Sequence, residues 1–180
     1  MYTINSLTGH LKSLGHNAPK NSVGDFIKWF EDAYFFFTVR MFDASLRKSN
    51  ANPKKIYCID HSLVTSVGSG ILVNSGHLLE NLVFNLLRHV STEIFYYKTK
   101  NGREVDFLVK KEGDKKRSLI QVSESLFDAK TRKRELEALG EAMKELKIKT
   151  STLVTLREEE QIQTECGEVN VIPAWRYALG

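Results

Sequence analysis

The sequence predicts an α+β protein in two parts, and three observations carry that prediction. Over the first part the apolar positions recur at helical spacing and then give way to two short strands. From residue 76 onward one helix is followed by segments with the period-two alternation of strands, flanked by a second long helix. Between them lies HSLVTSVGSGILVNSG, rich in Gly, Ser and Thr with only short apolar pieces. It reads as a linker, so the parts are residues 1–70 and 71–180.

In the first part, Ile4, Leu7, Leu11 and Leu14 share one face of a short helix over 4–16, and Gly15 suits its end. Asn21 or Ser22 can cap a second helix, whose apolar stripe is Val23, Phe26, Ile27 and Phe30. YFFFTVRMF has the β-branched and aromatic content of a strand. DASLRKSNANPKK reads as a polar, basic loop, and IYCID as the return strand. Helix, turn, helix, strand, basic loop, strand is the layout of a winged helix. Its second helix carries Asp25, Glu31 and Asp32 beside Lys20 and Lys28, which favours docking over major-groove readout. Arg47, Lys48, Lys54 and Lys55 on the wing offer phosphate contacts.

The second part opens with a helix over Leu78–His89. Leu79, Leu82, Val83, Leu86 and Leu87 form its apolar face, and Glu80 lies on the flank, where an acid in a first turn also favours the helix dipole. IFYYKT is a strand, and Asn101-Gly102 makes a tight turn into REVDFLVKK. Alternation puts Val105, Phe107 and Val109 on one face of that strand and Asp106 on the other. An aspartate between apolar neighbours needs a cation or several donors to stay ionised. KEGDKKR reads as a hairpin loop, and SLIQVSES as a third strand with Leu119, Gln121 and Ser123 on one side. A helix follows over Asp128–Lys147, with Asp128 at its start and Leu136, Leu139, Met143 and Leu146 as its stripe. TSTLVTL is a buried strand, and VNVIP a last short strand ending at Pro173.

Composition bounds the function. The net charge of +4 permits an anionic partner without requiring one. Cys58 and Cys166 stand far apart without a metal-binding or disulfide pattern. No apolar run approaches the roughly 18 residues of a membrane span, and MYTINSLTGH lacks a signal-peptide layout. The expectation is a cytoplasmic protein with no membrane partner.

Several short motifs, in order, carry a resemblance. They are Gly76-x-x-x-Glu80-Asn81, Tyr96–Lys98 before Asn101-Gly102, Glu104-Val105-Asp106-Phe107, Gln121-Val122, and Val171-Ile172-Pro173-Ala174-Trp175. Ser22-Val23, Phe30–Tyr34, Lys54–Tyr57 and Ile59-Asp60 extend them toward the N-terminus. Together they resemble the C-terminal region of a family of prokaryotic ATPases, in which an AAA+ type domain precedes a winged helix and a region catalogued as DUF4143. The resemblance implies a restriction-endonuclease-like sheet of the PD-(D/E)XK type, with a metal held by acids on a helix and two strands. It also implies an upstream ATPase domain of the same protein as partner. There is no GxxxxGK[ST] loop here, so ATP would enter only through that upstream domain.

The implied site is eroded. Metal-assisted phosphodiester cleavage needs oxygen ligands for Mg²⁺ and a group serving water and phosphate. Asp106 can be a ligand and Glu80 can restore a carboxylate, so Glu80 and Asp106 are the metal pair if there is one. Gln121 brings no charge, and Ser123 stands where a lysine is required. Lys98 on the neighbouring strand is the substitute cation. The set Glu80, Asp106, Gln121 and Lys98 should converge, with Lys98 or water rather than Mg²⁺ between the acids. The balance is against an enzyme in these residues. The expected role is nucleic-acid or partner binding, with DNA binding weak and non-specific; the alternative is a metal-dependent nuclease with a rearranged site.

Overall fold

Helical and strand periods separate as expected, and the computed structural model describes residues 1–67, 75–91, 93–110 and 116–180. The elements run α1 (Ile4–Ser13), α2 (Lys20–Asp32), β1 (Phe36–Met41), α3 (Leu46–Ala51), β2 (Lys55–Cys58), α4 (His61–Val67), α5 (Ser75–Arg88), β3 (Glu93–Lys98), β4 (Glu104–Lys110), β5 (Ser118–Val122), α6 (Ala129–Leu146), β6 (Thr150–Thr155), β7 (Glu160–Thr164), β8 (Gly167–Pro173) and α7 (Ala174–Leu179). Local chemistry fixes several ends. Thr3 and Ser6 cap α1 reciprocally, each side chain accepting from the other's backbone N–H. Asp128 accepts from Thr131 N at 2.7 Å to start α6, and Lys147 ends it in the left-handed region. α2 starts one residue before Asn21, with Pro19 at its cap position and no side-chain cap, so neither Asn21 nor Ser22 has the expected role.

The eight strands form one mixed sheet in the order β2-β1-β3-β4-β5-β6-β8-β7. β1 pairs antiparallel with β2 and parallel with β3, so the strands of the first part extend the sheet of the second. β5, β6 and β8 are parallel neighbours, and β7 returns antiparallel on β8 at the edge. One face packs on α5 and α7 through Val83, Phe84, Leu87, Phe107, Ile120 and Ala174, and this core includes Val39 and Tyr57 from β1 and β2. The other face packs on α6 through Val105, Leu108, Leu119, Leu139, Met143 and Leu153. Gly167, at φ +145°, starts β8 where a Cβ would lie 2.2 Å from the Lys149 carbonyl oxygen; only glycine lets the two backbones approach this closely.

The structure differs from the sequence reading in several places. The basic loop contains α3, started by Ser45 accepting from Lys48 N. The N-terminal piece of the expected linker is α4, while the boundary near residue 70 and most of the KEGDKKR loop lie outside the described residues. The segment before VNVIP holds the additional strand β7, and α7 follows Pro173. The core and the sheet both run across the expected boundary between the two parts.

Candidate functional site

The site is built on an irregular stretch of β4. Phe95 of β3 faces Leu108, but Tyr97 faces Val105, so Asp106 and Phe107 together stand opposite Tyr96. This is a β-bulge, and it resets the alternation. Val105 therefore packs toward α6, whereas Phe107 and Val109 pack toward α5, which corrects the expectation that Val105 and Phe107 share a face. Asp106 is carried to the α5 side with Glu104 two residues before it.

On that side a single ammonium meets three carboxylates. Lys55 Nζ lies 2.7 Å from Asp106 Oδ1, 2.9 Å from Glu80 Oε1 and 2.9 Å from Glu104 Oε1. Lys55 reaches them from the edge strand β2, in which Lys55 and Tyr57 point inward while Ile56 points to solvent. Tyr57 donates its hydroxyl to Glu80 Oε1 at 2.6 Å, and its ring stacks on Phe84 at 4.3 Å. The strand is held on α5 by Asn81, which accepts from Cys58 N at 2.8 Å and donates to Cys58 O at 3.0 Å. Glu80 lies in the second turn of α5, because the helix begins earlier than its apolar stripe indicates.

Asp106 also joins the two faces of the sheet. Its Oδ2 accepts from Val122 N at 3.0 Å, and its own N–H donates to Gln121 Oε1 at 3.0 Å. Gln121 Nε2 then donates to Glu135 Oε2 of α6 at 2.6 Å. Glu135 is buried, and its other oxygen is taken by Arg134. Gln121 thus contacts the backbone of Asp106 rather than sharing a cation with Glu80. A cavity of about 700 Å³, open to solvent, reaches Glu80, Glu104, Asp106, Gln121 and Glu135.

The electrostatics follow from this count of charges. Burial by itself would lower the Lys55 pKa, but Asp106, Glu80 and Glu104 outweigh it and hold the ammonium well above its ordinary value. Burial pushes the Asp106 carboxyl up to about 7, against the pull of Lys55. Three carboxylates sharing one ammonium leave an excess of negative charge, which favours a proton on the most buried of them. Burial likewise drives the Tyr57 hydroxyl well above its usual range, so it remains a donor.

Two of the four residues expected to converge, Glu80 and Asp106, are joined through the Lys55 ammonium, and Gln121 is tied to Asp106 through its backbone amide. Lys98 is not brought in: it is exposed, and Lys55 supplies the cation. Lys55 accordingly leaves the wing set, in which Arg47 and Lys48 are exposed on α3 and Lys54 is half-buried. Glu80 and Asp106, the metal pair of the sequence reading, converge on an ammonium. Among the described residues no group of three or more His, Cys, Asp and Glu side chains is arranged for a metal ion.

Comparison with known proteins bears on more than half of the chain. A family described as Domain of unknown function (DUF4143) matches residues 75–177. The chain belongs to the DUF4143 family. It is also 30% identical over 186 aligned positions to Uncharacterized protein MJ1544 of Methanocaldococcus jannaschii; the match covers 98% of this chain and 40% of that protein. No solved structure matches it. The DUF4143 segment contains Glu80, Glu104, Asp106, Gln121 and Glu135, whereas Lys55 and Tyr57 precede it. Among the described residues no helix is long and apolar enough to cross a membrane.

Lys55, Tyr57, Glu104 and Glu135 were not among the residues expected to converge. Lys55 sits at the end of a basic loop, 51 residues from Asp106, yet its position two before Tyr57 on one strand face was a signal. Glu104 shares a face with Asp106 by the same rule. Glu135 lies three and four residues before Ala138 and Leu139, on the stripe of α6 that is buried.

Proposed function

We propose that this chain is the C-terminal, non-ATPase region of a longer AAA+ type ATPase, and that it is a catalytically eroded endonuclease-like module for binding nucleic acid or a protein partner. The observation that carries the erosion is Lys55, whose ammonium lies within 2.9 Å of all three carboxylates where a nuclease would need its metal. A divalent ion would have to displace a buried lysine and leave it without counter-charge, a loss of several kcal/mol. The helix acid, strand acids and Gln121 on a mixed sheet support the endonuclease-like description. The pair of helices α1 and α2 with the β1–β2 strand pair supports the winged-helix one. The M. jannaschii relative is longer than the matched chain, which leaves room for an upstream ATPase domain as the source of ATP chemistry. Arg47, Lys48 and Lys54 would contact phosphates.

The second reading, a metal-dependent nuclease with a rearranged site, is favoured by the open cavity on the acids. One experiment separates the two. Single- and double-stranded DNA is incubated with wild type and Asp106→Ala in Mg²⁺ and in Mn²⁺, while thermal melting follows metal binding. The eroded module gives no cleavage and no metal-induced rise in melting temperature. Metal-dependent cleavage that vanishes in Asp106→Ala establishes the nuclease instead.

A further inference from the structure

We propose that a second surface, at the end of β4 remote from the carboxylates, binds the phosphate backbone of a nucleic acid. This deepens the nucleic-acid half of the function proposed above, and it assigns that contact to residues other than the wing. β4 has Glu104 and Asp106 near its start and Lys110 at its end, about 20 Å from Glu104 and about 13 Å from Asp106 at strand rise. There the chain ends of β4, β5, β6 and α6 enclose a groove of about 680 Å³. Lys110, Lys116, Arg117, Lys147 and Lys149 line it, with no acidic side chain among the described lining residues. The floor is apolar, from Leu108, Leu146 and Ile148.

The cations are set in place by the fold. Lys147 closes α6 in the left-handed region, at φ 56°. Ile148 packs against the α6 core, leaving Lys147 and Lys149 on either side of it exposed. Arg117 lies over the Phe42 ring, 4.6 Å from its centroid, which limits its freedom. Glu93 offsets part of this charge, 3.6 Å from Lys110 and 4.0 Å from Arg117. Among the described residues Lys116, Lys147 and Lys149 make no ion pair. A neighbouring hollow shares Lys147 and Lys149 and adds Lys144, with Glu165 as its one acidic side chain among the described lining residues.

Chemistry selects the ligand. Concentrating five cations in a groove, in a chain whose whole net charge is +4, creates a local field that attracts a polyanion. Lysines act on phosphate as point charges and impose no base-reading geometry. The groove therefore fits a sequence-independent contact to phosphodiesters, with a steep salt dependence.

The test is fluorescence anisotropy of a labelled DNA duplex with the full chain across a salt series. It compares wild type, the triple variant Lys116→Ala/Lys147→Ala/Lys149→Ala, the corresponding triple change to arginine, and the wing pair Arg47→Ala/Lys48→Ala. All substituted side chains are exposed, and melting curves verify that the variants fold. Wild type should bind at low salt. The alanine triple should weaken binding about tenfold or more and reduce the slope of log affinity against log salt by about 2 to 3, while the arginine triple retains both. If wild type binds and the alanine triple binds equally well, the groove assignment falls and the nucleic-acid reading survives; loss confined to the wing pair overturns the groove in the same way. If wild type binds no nucleic acid at low salt, both fall. Competition by polyglutamate as effective as by unlabelled duplex at equal charge replaces nucleic acid with an acidic protein as the ligand.

Discussion

Two ion clusters flank the start of β4 with nearly the same bond lengths, and they differ in what surrounds them. Lys55 lies 2.7–2.9 Å from its three carboxylates, with its side chain 10% exposed. Arg103 lies 2.6 Å from Glu137 and 2.9 Å from Glu141, with its side chain 38% exposed. Water screens the Arg103 pairs and solvates either partner if the other is lost, so each contributes little. The Lys55 cluster keeps much less of that solvation, least of all at Lys55 and Asp106, and its members depend on one another. Equal distances therefore describe very unequal energetic roles.

The comparison breaks most directly at Lys55. Lys55→Ala leaves buried Asp106 and half-buried Glu80 and Glu104 without their cation and should cost about 3–5 kcal/mol in urea unfolding; a loss comparable to that of an exposed pair would show the cluster to be solvated. Asp106→Asn sharpens the comparison through pH. The Asp106 pKa is raised to about 7 in the folded chain, so between about pH 4 and pH 7 the folded state binds more protons than the unfolded one. Its contribution therefore lowers stability as pH rises through that window, by at most about 1.4 kcal/mol per pH unit. Denaturant melts at several pH values should show this decline flattened in Asp106→Asn, and an unchanged decline would assign it to another group. The smallest effect belongs to the exposed cluster. Glu141→Ala should move the urea midpoint only slightly, far less than Lys55→Ala does, and the shift should shrink further in high salt. A midpoint shift as large as that of Lys55→Ala would erase the contrast between the two clusters.

Much of this architecture was legible because the relevant signals are local. Leu79, Val83 and Leu87 of α5, Leu139 and Met143 of α6, the Asn101-Gly102 turn and the strand character of β3 to β6 all lie within windows of a few residues, whereas Leu82, expected on the apolar face of α5, is exposed and Phe84 is buried instead. Asp106 stood out for a similar reason, as a charge inside an apolar strand. What the local pattern could not carry was tertiary. The bulge at Asp106 and Phe107 depends on pairing with Tyr96, and without it alternation assigned Val105 to the wrong face. Lys54 and Lys55 look alike in sequence, yet one is half-buried at the surface and the other is enclosed by acids from α5 and β4. The stripe of α6 is shifted: Ala138 and Ala142 are buried beside Leu139 and Met143, while Leu136 and Leu146 are half-buried.

The position of Lys55 has a consequence for where this protein can be cut. The segment shared with the DUF4143 family begins at residue 75, twenty residues beyond the lysine that pairs with its acids. A fragment trimmed to that segment would keep Glu80, Glu104 and Asp106 and discard their counter-ion, together with the Tyr57 hydroxyl and the ring that covers Phe84. The segment that the family shares and the unit that holds the acids with their counter-ion have different borders here.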